Sequence, residues 1–187
     1  RKQLSDAVIQ SRDIMFLPEY ELMRIPKEIS PYEYRLSNKN YPIEDIYSIA
    51  SMSGIRSPAV ASRQAKALSS KNNIVRYWAA LGLRSQPDEI LKPFKKEILR
   101  AGKDSFLPAA VTASAIGSDV FGDKISEENM KRFIASHDKN VALLAINYLL
   151  YMRNPEPFVA AVKSLRSDSE PNGNVRWAAD DFLGMRE

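Results

Sequence analysis

Four segments of the chain repeat one spacing of apolar residues, and this repeat constrains the fold more than any other feature. In each segment an aliphatic residue is followed, four and eight positions later, by small or hydrophobic residues, as in "NNIVRYWAALGL" and "NGNVRWAADDFL". Successive segments begin 32, 34 and 34 residues apart. Such a period predicts stacked helical hairpins. The repeat positions are Val75, Ala79, Leu83; Leu107, Val111, Ala115; Val141, Ala145, Leu149; and Val175, Ala179, Leu183.

The partner helices of these segments are predicted in the gaps between them. Amphipathic patterns favour helices over residues 57–68, 88–100, 127–135 and 155–165, with a further helix over 43–52. Loops rich in Ser, Asn, Asp, Gly and Pro separate the helices. Pro93 is expected to kink the helix over 88–100 or to restart it after a short turn. The sequence therefore predicts an all-α chain whose hairpins share one core.

Conspicuous arginine and tryptophan side chains lie within two of the repeats. Arg76 and Arg176 directly follow the first repeat position, where an arginine can pair with an acidic loop residue of an adjacent repeat. We favour this structural role over contact with a ligand. Trp78 and Trp177 are expected to pack in the core.

The charge of the chain is unevenly distributed. The formal net charge is +4, but the stretch from Arg56 to Lys103 holds eleven lysines and arginines against three acids. Such a stretch can attract phosphate, sulfate or an acidic protein. A solvated set of helix faces is the simpler interpretation. The candidate anion or glycan patch consists of Lys92, Lys95, Lys96 and Lys103, the first three of which are expected to share one helical face.

The sequence offers no recognisable catalytic motif. The chain has no cysteine and a single histidine, His137, in a loop, so a zinc site or a histidine-based triad has too few candidates. Phosphate-binding glycine-rich loops are absent, and adjacent acids such as Asp180 and Asp181 resemble solvated helix faces. No apolar run approaches the roughly 20 residues that span a bilayer. We therefore predict no catalytic, metal or cofactor residues in this chain, no nucleic acid as a partner and no membrane span.

The first 42 residues differ from the repeats. They predict the end of a helix followed by an extended strap, and the helical repeats begin at residue 43. The strap and repeats together, "RDIMFLPEYEL", "PYEYRLSNKNYPIEDIYSIAS", "NNIVRYWAALGL" and "DKNVALLAINYLL", resemble the C-terminal region of bacterial type I sulfatases over about residues 12–150. The most specific parts are "FLPE" at 16–19, "YP" at 41–42 and "VRYWAA" at 75–80.

The resemblance implies both a fold and a partner. It implies a HEAT-like α-α superhelix over 43–187, joined to a catalytic domain that hydrolyses sulfated carbohydrate in the periplasm or outside the cell. On this interpretation the chain is part of a longer product, because it begins at Arg1. The apolar strap residues Phe16, Leu17, Tyr20 and Leu22 would dock on the catalytic domain.

The resemblance also assigns the chemistry to the partner. Calcium and formylglycine would belong to the catalytic domain, because the Ser-x-Pro matches at Ser85 and Ser169 are followed by Glu89 and Gly173 where the family motif has arginine. Two other functions stay open: a stand-alone scaffold that binds proteins, and a module that binds polyanions, chiefly sulfated glycan. A homo-oligomer is a further option.

Overall fold

The computed structural model describes residues 27–29, 33, 43–166 and 173–184. These residues form helices and connecting loops, and no strand occurs among them. The predicted all-α class is therefore confirmed for the described part of the chain. Two compact units divide the chain, Arg1–Pro87 and Asp88–Glu187, and each is considered by itself. Apart from residues 27–29 and 33, the predicted strap lies outside the described residues, and so do Phe16, Leu17, Tyr20 and Leu22.

The first unit contains three described helices, and the third packs against the other two. They are α1 (Ile43–Ala50), α2 (Pro58–Ala67) and α3 (Asn73–Arg84). Helix α3 begins where Asn72 accepts hydrogen bonds from the N–H groups of Ile74 and Val75, at 2.9 and 3.0 Å. The Asn72 side chain thus caps the helix, because the backbone N–H groups of a first helical turn have no hydrogen-bond acceptor within the helix itself. Between these helices lie the fully buried Ile46, Ala61, Ala79 and Leu83.

Two buried glutamines fasten the loop between α1 and α2. The amide of Gln86 donates to the Ile55 carbonyl at 2.7 Å and to Oε1 of Gln64 at 3.2 Å, and its own oxygen accepts from the N–H of Ser57 at 3.1 Å. Gln64 is fully buried and donates to the Met52 carbonyl at 3.5 Å. Each side-chain amide both donates and accepts a hydrogen bond. The pair therefore holds the loop in place, and neither buried amide is left without hydrogen-bond partners.

The second unit contains seven described α-helices, interrupted by two 3₁₀ turns at Lys92–Phe94 and Glu156–Phe158. The helices are α4 (Asp88–Leu91), α5 (Lys95–Ala101), α6 (Leu107–Phe121), α7 (Lys124–Ile134), α8 (Lys139–Leu149), α9 (Val159–Arg166) and α10 (Gly173–Gly184).

The helices of the second unit pack as successive hairpins. Within the hairpins α5 contacts α6, α7 contacts α8 and α9 contacts α10; between them α6 contacts α8 and α8 contacts α10. The second helices of the hairpins therefore form one continuous row. Phe158, Ile146, Leu149 and Phe182 fill the space between α8, α9 and α10, and each is at most 2 % exposed.

Proline and glycine set the breaks between these helices. Pro93 lies in the 3₁₀ turn that separates α4 from α5, so the expected restart of this helix is confirmed. Gly122 ends α6 in the left-handed conformation, with φ of 59°, which costs glycine little. Asp123 caps the start of α7, because its carboxylate accepts a hydrogen bond from the N–H of Ser126 at 2.7 Å. The helix begins at Lys124, three residues before the predicted start at residue 127.

Ten of the twelve repeat positions are buried. Leu107 is 39 % exposed, so a core position was wrongly predicted for it, whereas Val175 is half-buried and packs against the core. Leu107 is the first residue of α6, whereas Val141 is the third residue of α8, and burial in α6 begins only at its third residue, Ala109.

Candidate binding surfaces

The predicted lysine patch lies around the start and end of α5. Lys92, Lys95, Lys96 and Lys103 are all exposed. Lys92 belongs to the 3₁₀ turn and Lys95 begins α5, so the first three lysines do not share one continuous α-helical face. The break at Pro93 is the physical reason, because a 3₁₀ turn has three residues per turn rather than 3.6.

Local contacts reduce the attraction of this patch for anions. The Lys92 ammonium is 2.7 Å from a carboxylate oxygen of Glu89, and both side chains are exposed. The ammonium of Lys95 lies 5.6 Å from the centre of the Phe121 ring, a cation–π contact. The surface around α5 is therefore mixed in charge, in agreement with the simpler interpretation of the sequence.

A second basic surface lies in the first unit, within the basic stretch from Arg56 to Lys103 but outside the predicted lysine patch. An open groove of about 680 Å³ runs between α1, α2 and the start of α3. Its polar lining residues are Asp45, Ser48, Arg63, Lys66, Ser69 and Ser70, and its apolar ones are Ile49, Ala67 and Val75. Arg63 and Lys66 are exposed and one helical turn apart on α2. Neither forms an ion pair within the described part of the chain.

Both arginines of the repeats make local contacts. Arg76 donates from Nη1 to the carbonyls of Ser70 and Lys71, at 3.0 and 3.2 Å, and so satisfies the loop that follows α2. Nε of Arg176 lies 3.8 Å from a carboxylate oxygen of Asp180 on the same helix. The contact of Arg176 thus lies within one helix rather than between repeats, whereas the pairing of Arg76 with a loop acid of a neighbouring repeat stays a prediction.

Arg153 makes that kind of contact instead. It lies in the loop after α8 and donates to a carboxylate oxygen of Asp88 at 2.6 Å and to the backbone carbonyl of Asp119 at 2.8 Å. Its own N–H donates to the Asp119 carboxylate at 2.8 Å. The hydrogen bond to Asp88 is the main cause that raises the pKa of Arg153 above its usual value. Arg153 thus links the loop after α8 to the start of α4, through Asp88, and to the last turn of α6, through Asp119.

The two tryptophans differ in exposure. Trp78 is half-buried on α3 and its ring lies 6.1 Å from that of Tyr77, in agreement with a packing role. Trp177 is 66 % exposed on α10, so the prediction that it packs in the core is wrong. The neighbouring Ala178 and Ala179 take the buried positions, because the helix turns its small residues toward α8 and α9.

The described residues do not fit the calcium and formylglycine chemistry that the resemblance assigns to a catalytic domain. Cysteine is absent from the sequence, and no three His, Asp or Glu side chains come together as metal ligands among the described residues. His137 is exposed in the loop before α8. Nor does the described part of the chain contain a helix long and apolar enough to cross a membrane.

Comparison with known proteins adds no relative. Neither a protein-family model, nor a curated protein, nor a solved structure matches the chain. The arguments that follow therefore rest on the residues and contacts described above.

Proposed function

We propose that this chain is a non-catalytic, HEAT-like helical-repeat module that binds another protein surface. The observation that carries the proposal is the row of second helices, α6, α8 and α10, each backed by its own hairpin partner. Helical hairpins of this kind form rigid scaffolds with extended surfaces, and such repeat proteins commonly act by binding. Among the described residues, most contacts pack one helix against another, and few side chains are grouped as a reaction would need.

The partner that we propose is the catalytic domain of a sulfatase that acts on sulfated carbohydrate. Support comes from the ordered resemblance of the strap and the repeats, including "FLPE" at 16–19 and "VRYWAA" at 75–80. The apolar strap residues Phe16, Leu17, Tyr20 and Leu22 would supply the contact. A periplasmic or extracellular location follows from the same proposal, and calcium and formylglycine would belong to the partner domain.

Sequencing the coding DNA upstream of the Arg1 codon tests this partner. A reading frame that continues for several hundred codons and contains Cys/Ser-x-Pro-x-Arg supports it. In that case the catalytic part, expressed separately, should co-purify with residues 1–187, and Leu17→Asp should weaken the complex more than Lys163→Asp does. An initiator codon close to Arg1 would rule the sulfatase out and leave a stand-alone scaffold.

Anion binding is a second candidate, and the groove of the first unit favours it. Arg63 and Lys66 present two adjacent positive charges that form no ion pair within the described part of the chain, with Asp45 as the acid among the lining residues, whereas Lys92 is paired with Glu89. We expect Arg63→Glu/Lys66→Glu to elute from a heparin column at lower salt than Lys95→Glu/Lys96→Glu, although each pair of changes removes two positive charges and adds two negative ones. Equal elution of the two variants would show that net charge alone, rather than the groove, controls retention.

A further inference from the structure

The outer face of α10 is exposed although its inner face is packed. Ala178, Ala179, Phe182 and Leu183 are buried, and Gly173, Arg176, Trp177, Asp181 and Gly184 are exposed. At 100° per residue the exposed residues form one continuous stripe along the helix, with Trp177 near its centre. A tryptophan that is 66 % exposed on an ordered helix leaves a large apolar surface in water.

Comparison between the repeats indicates what normally covers this position. Trp177 follows the first repeat position by two residues, and its equivalents are Tyr77, Ala109 and Leu143. Ala109 is fully buried, and Tyr77 and Leu143 are half-buried. The repeat therefore places this position against other protein in each of the three earlier segments. A helix of similar character is the natural cover for Trp177.

The charges of this face are self-complementary. Arg176 and Asp180 lie on the same side of the stripe, at equal distances before and after Ala178, and Trp177 adjoins this midpoint. In an antiparallel helix pair related by a two-fold axis, residues equally far before and after the midpoint meet along the same edge. Within one chain Nε of Arg176 lies 3.8 Å from a carboxylate oxygen of Asp180, and in the dimer this long contact would be shared with the Asp180 and Arg176 side chains of the second copy, while the two Trp177 rings would meet at the axis. Gly173 and Gly184 at the ends carry no side chain that would hold the helices apart.

We propose that α10 is a homodimer interface, in which two copies pair antiparallel through Trp177, Arg176 and Asp180. The favoured occupant is a second copy rather than a strongly charged partner, because the stripe carries charges of both signs next to its apolar centre. The interface is independent of the proposed function, since it requires neither a sulfatase domain nor an anion.

The expected dimer is weak. One 12-residue helix against its copy buries less than the about 1,200 Å² that stable interfaces reach. The experiment is therefore designed for a dissociation constant on the order of 100 µM. Sedimentation velocity of residues 1–187, from about 5 µM to about 1 mM, brackets this value. A chain that stays monomeric over this range overturns the proposal.

Trp177→Ala should shift the dimer dissociation constant by about tenfold or more, as interface tryptophans often do. Tyr151→Ala is the matched control, because Tyr151 is 75 % exposed in the same unit but lies outside α10. It should leave dimerisation unchanged. Circular dichroism verifies that both variants keep their helical content. A dimer that survives Trp177→Ala, or that Tyr151→Ala weakens equally, would refute this face as the interface.

Exchange of the charges tests the antiparallel pairing itself. Arg176→Asp and Asp180→Arg should each weaken the homodimer, because like charges then meet across the axis. An equimolar mixture of the two variants should form a heterodimer, since the carboxylate introduced at position 176 of one chain would meet the guanidinium introduced at position 180 of the other. Weakened homodimers whose mixture stays monomeric would refute the pairing of Arg176 with Asp180.

Discussion

Replacement of Gly82 by alanine tests the packing of the first unit, because two effects of opposite sign compete there. Gly82 lies within α3, where alanine is intrinsically favoured over glycine by about 1 kcal/mol. A Cβ atom at this position, however, would overlap Nε2 of Gln64 and lie 2.8 Å from its Cδ. Gln64 is fully buried and has hydrogen-bond partners in Gln86 and Met52, so it has little room to yield.

The clash is expected to outweigh the gain in helix propensity. Displacing Gln64 forfeits two buried hydrogen bonds and strains the packing, at about 2–4 kcal/mol in total. After subtraction of about 1 kcal/mol for propensity, Gly82→Ala should lower the free energy of unfolding by about 1–3 kcal/mol. In a Gln64→Ala background the obstacle is gone, and the same substitution should stabilise the protein by up to about 1 kcal/mol. The sign of the effect therefore reverses.

Urea unfolding followed by Trp78 fluorescence measures the first unit alone. The chain has 2 tryptophans, so Trp177→Phe leaves Trp78 as the single reporter. The four chains of the Gly82 and Gln64 double-mutant cycle then give the coupling energy directly. Gly184→Ala is the control, because a Cβ there meets nothing within 4 Å; it should leave the Trp78 transition unchanged. Stabilisation by Gly82→Ala with Gln64 in place would contradict the reasoning.

Three further predictions concern the second unit. Leu149→Ala, at a residue 1 % exposed, should cost about 2–5 kcal/mol in thermal unfolding followed by circular dichroism, and an unchanged melting temperature would contradict the hairpin core. Asp138→Ala should cost about 1 kcal/mol through loss of the α8 cap while Asp138→Asn costs much less; equal losses would argue against capping. Hydrogen bonds from Lys124 and then Lys131 lower the pKa of Glu127 below 4.5. Wild type should therefore exceed Glu127→Gln in stability above pH 4.5, and lose this small advantage as pH falls through the lowered pKa; a constant difference in a pH series would contradict the ion pairs.

The helices could be predicted from the sequence because their apolar spacing is long and regular. A residue such as Ala79 or Ala145 recurs at the same step in each segment, and burial of a helix face depends directly on that step. Helix starts were less accurate. The start of α7 depends on the capping carboxylate of Asp123, and the position of Leu107 depends on where the first turn of α6 begins, so neither is fixed by hydrophobic spacing.

Contacts between distant residues could not be predicted in the same way. Gln64 and Gln86 lie 22 residues apart, and nothing in their local sequence distinguishes a buried amide pair from two solvated side chains. The groove that contains Arg63 and Lys66 could not be predicted for the same reason, because residues of three helices, distant in sequence, form its walls. Exposure of Trp177 likewise depends on which helices pack around α10. A residue type favours burial on average, but the neighbours decide each case.

Arg153 and Arg76 show why residue type and repeat position alone do not assign a contact. Arg76 occupies the regular repeat position and donates to two carbonyls of the loop that follows α2, within its own hairpin. Arg153 occupies an irregular position after α8, where Asp119 comes within reach from α6 and Asp88 from α4. Arginine presents several donors in a fixed fork and therefore binds where acceptors from separate segments converge. The stack brings such acceptors together at its loops. Whether an arginine bridges successive hairpins by hydrogen bonds therefore depends on the geometry of the loops. In related repeats, arginines that make such bridges should be sought first in the loops.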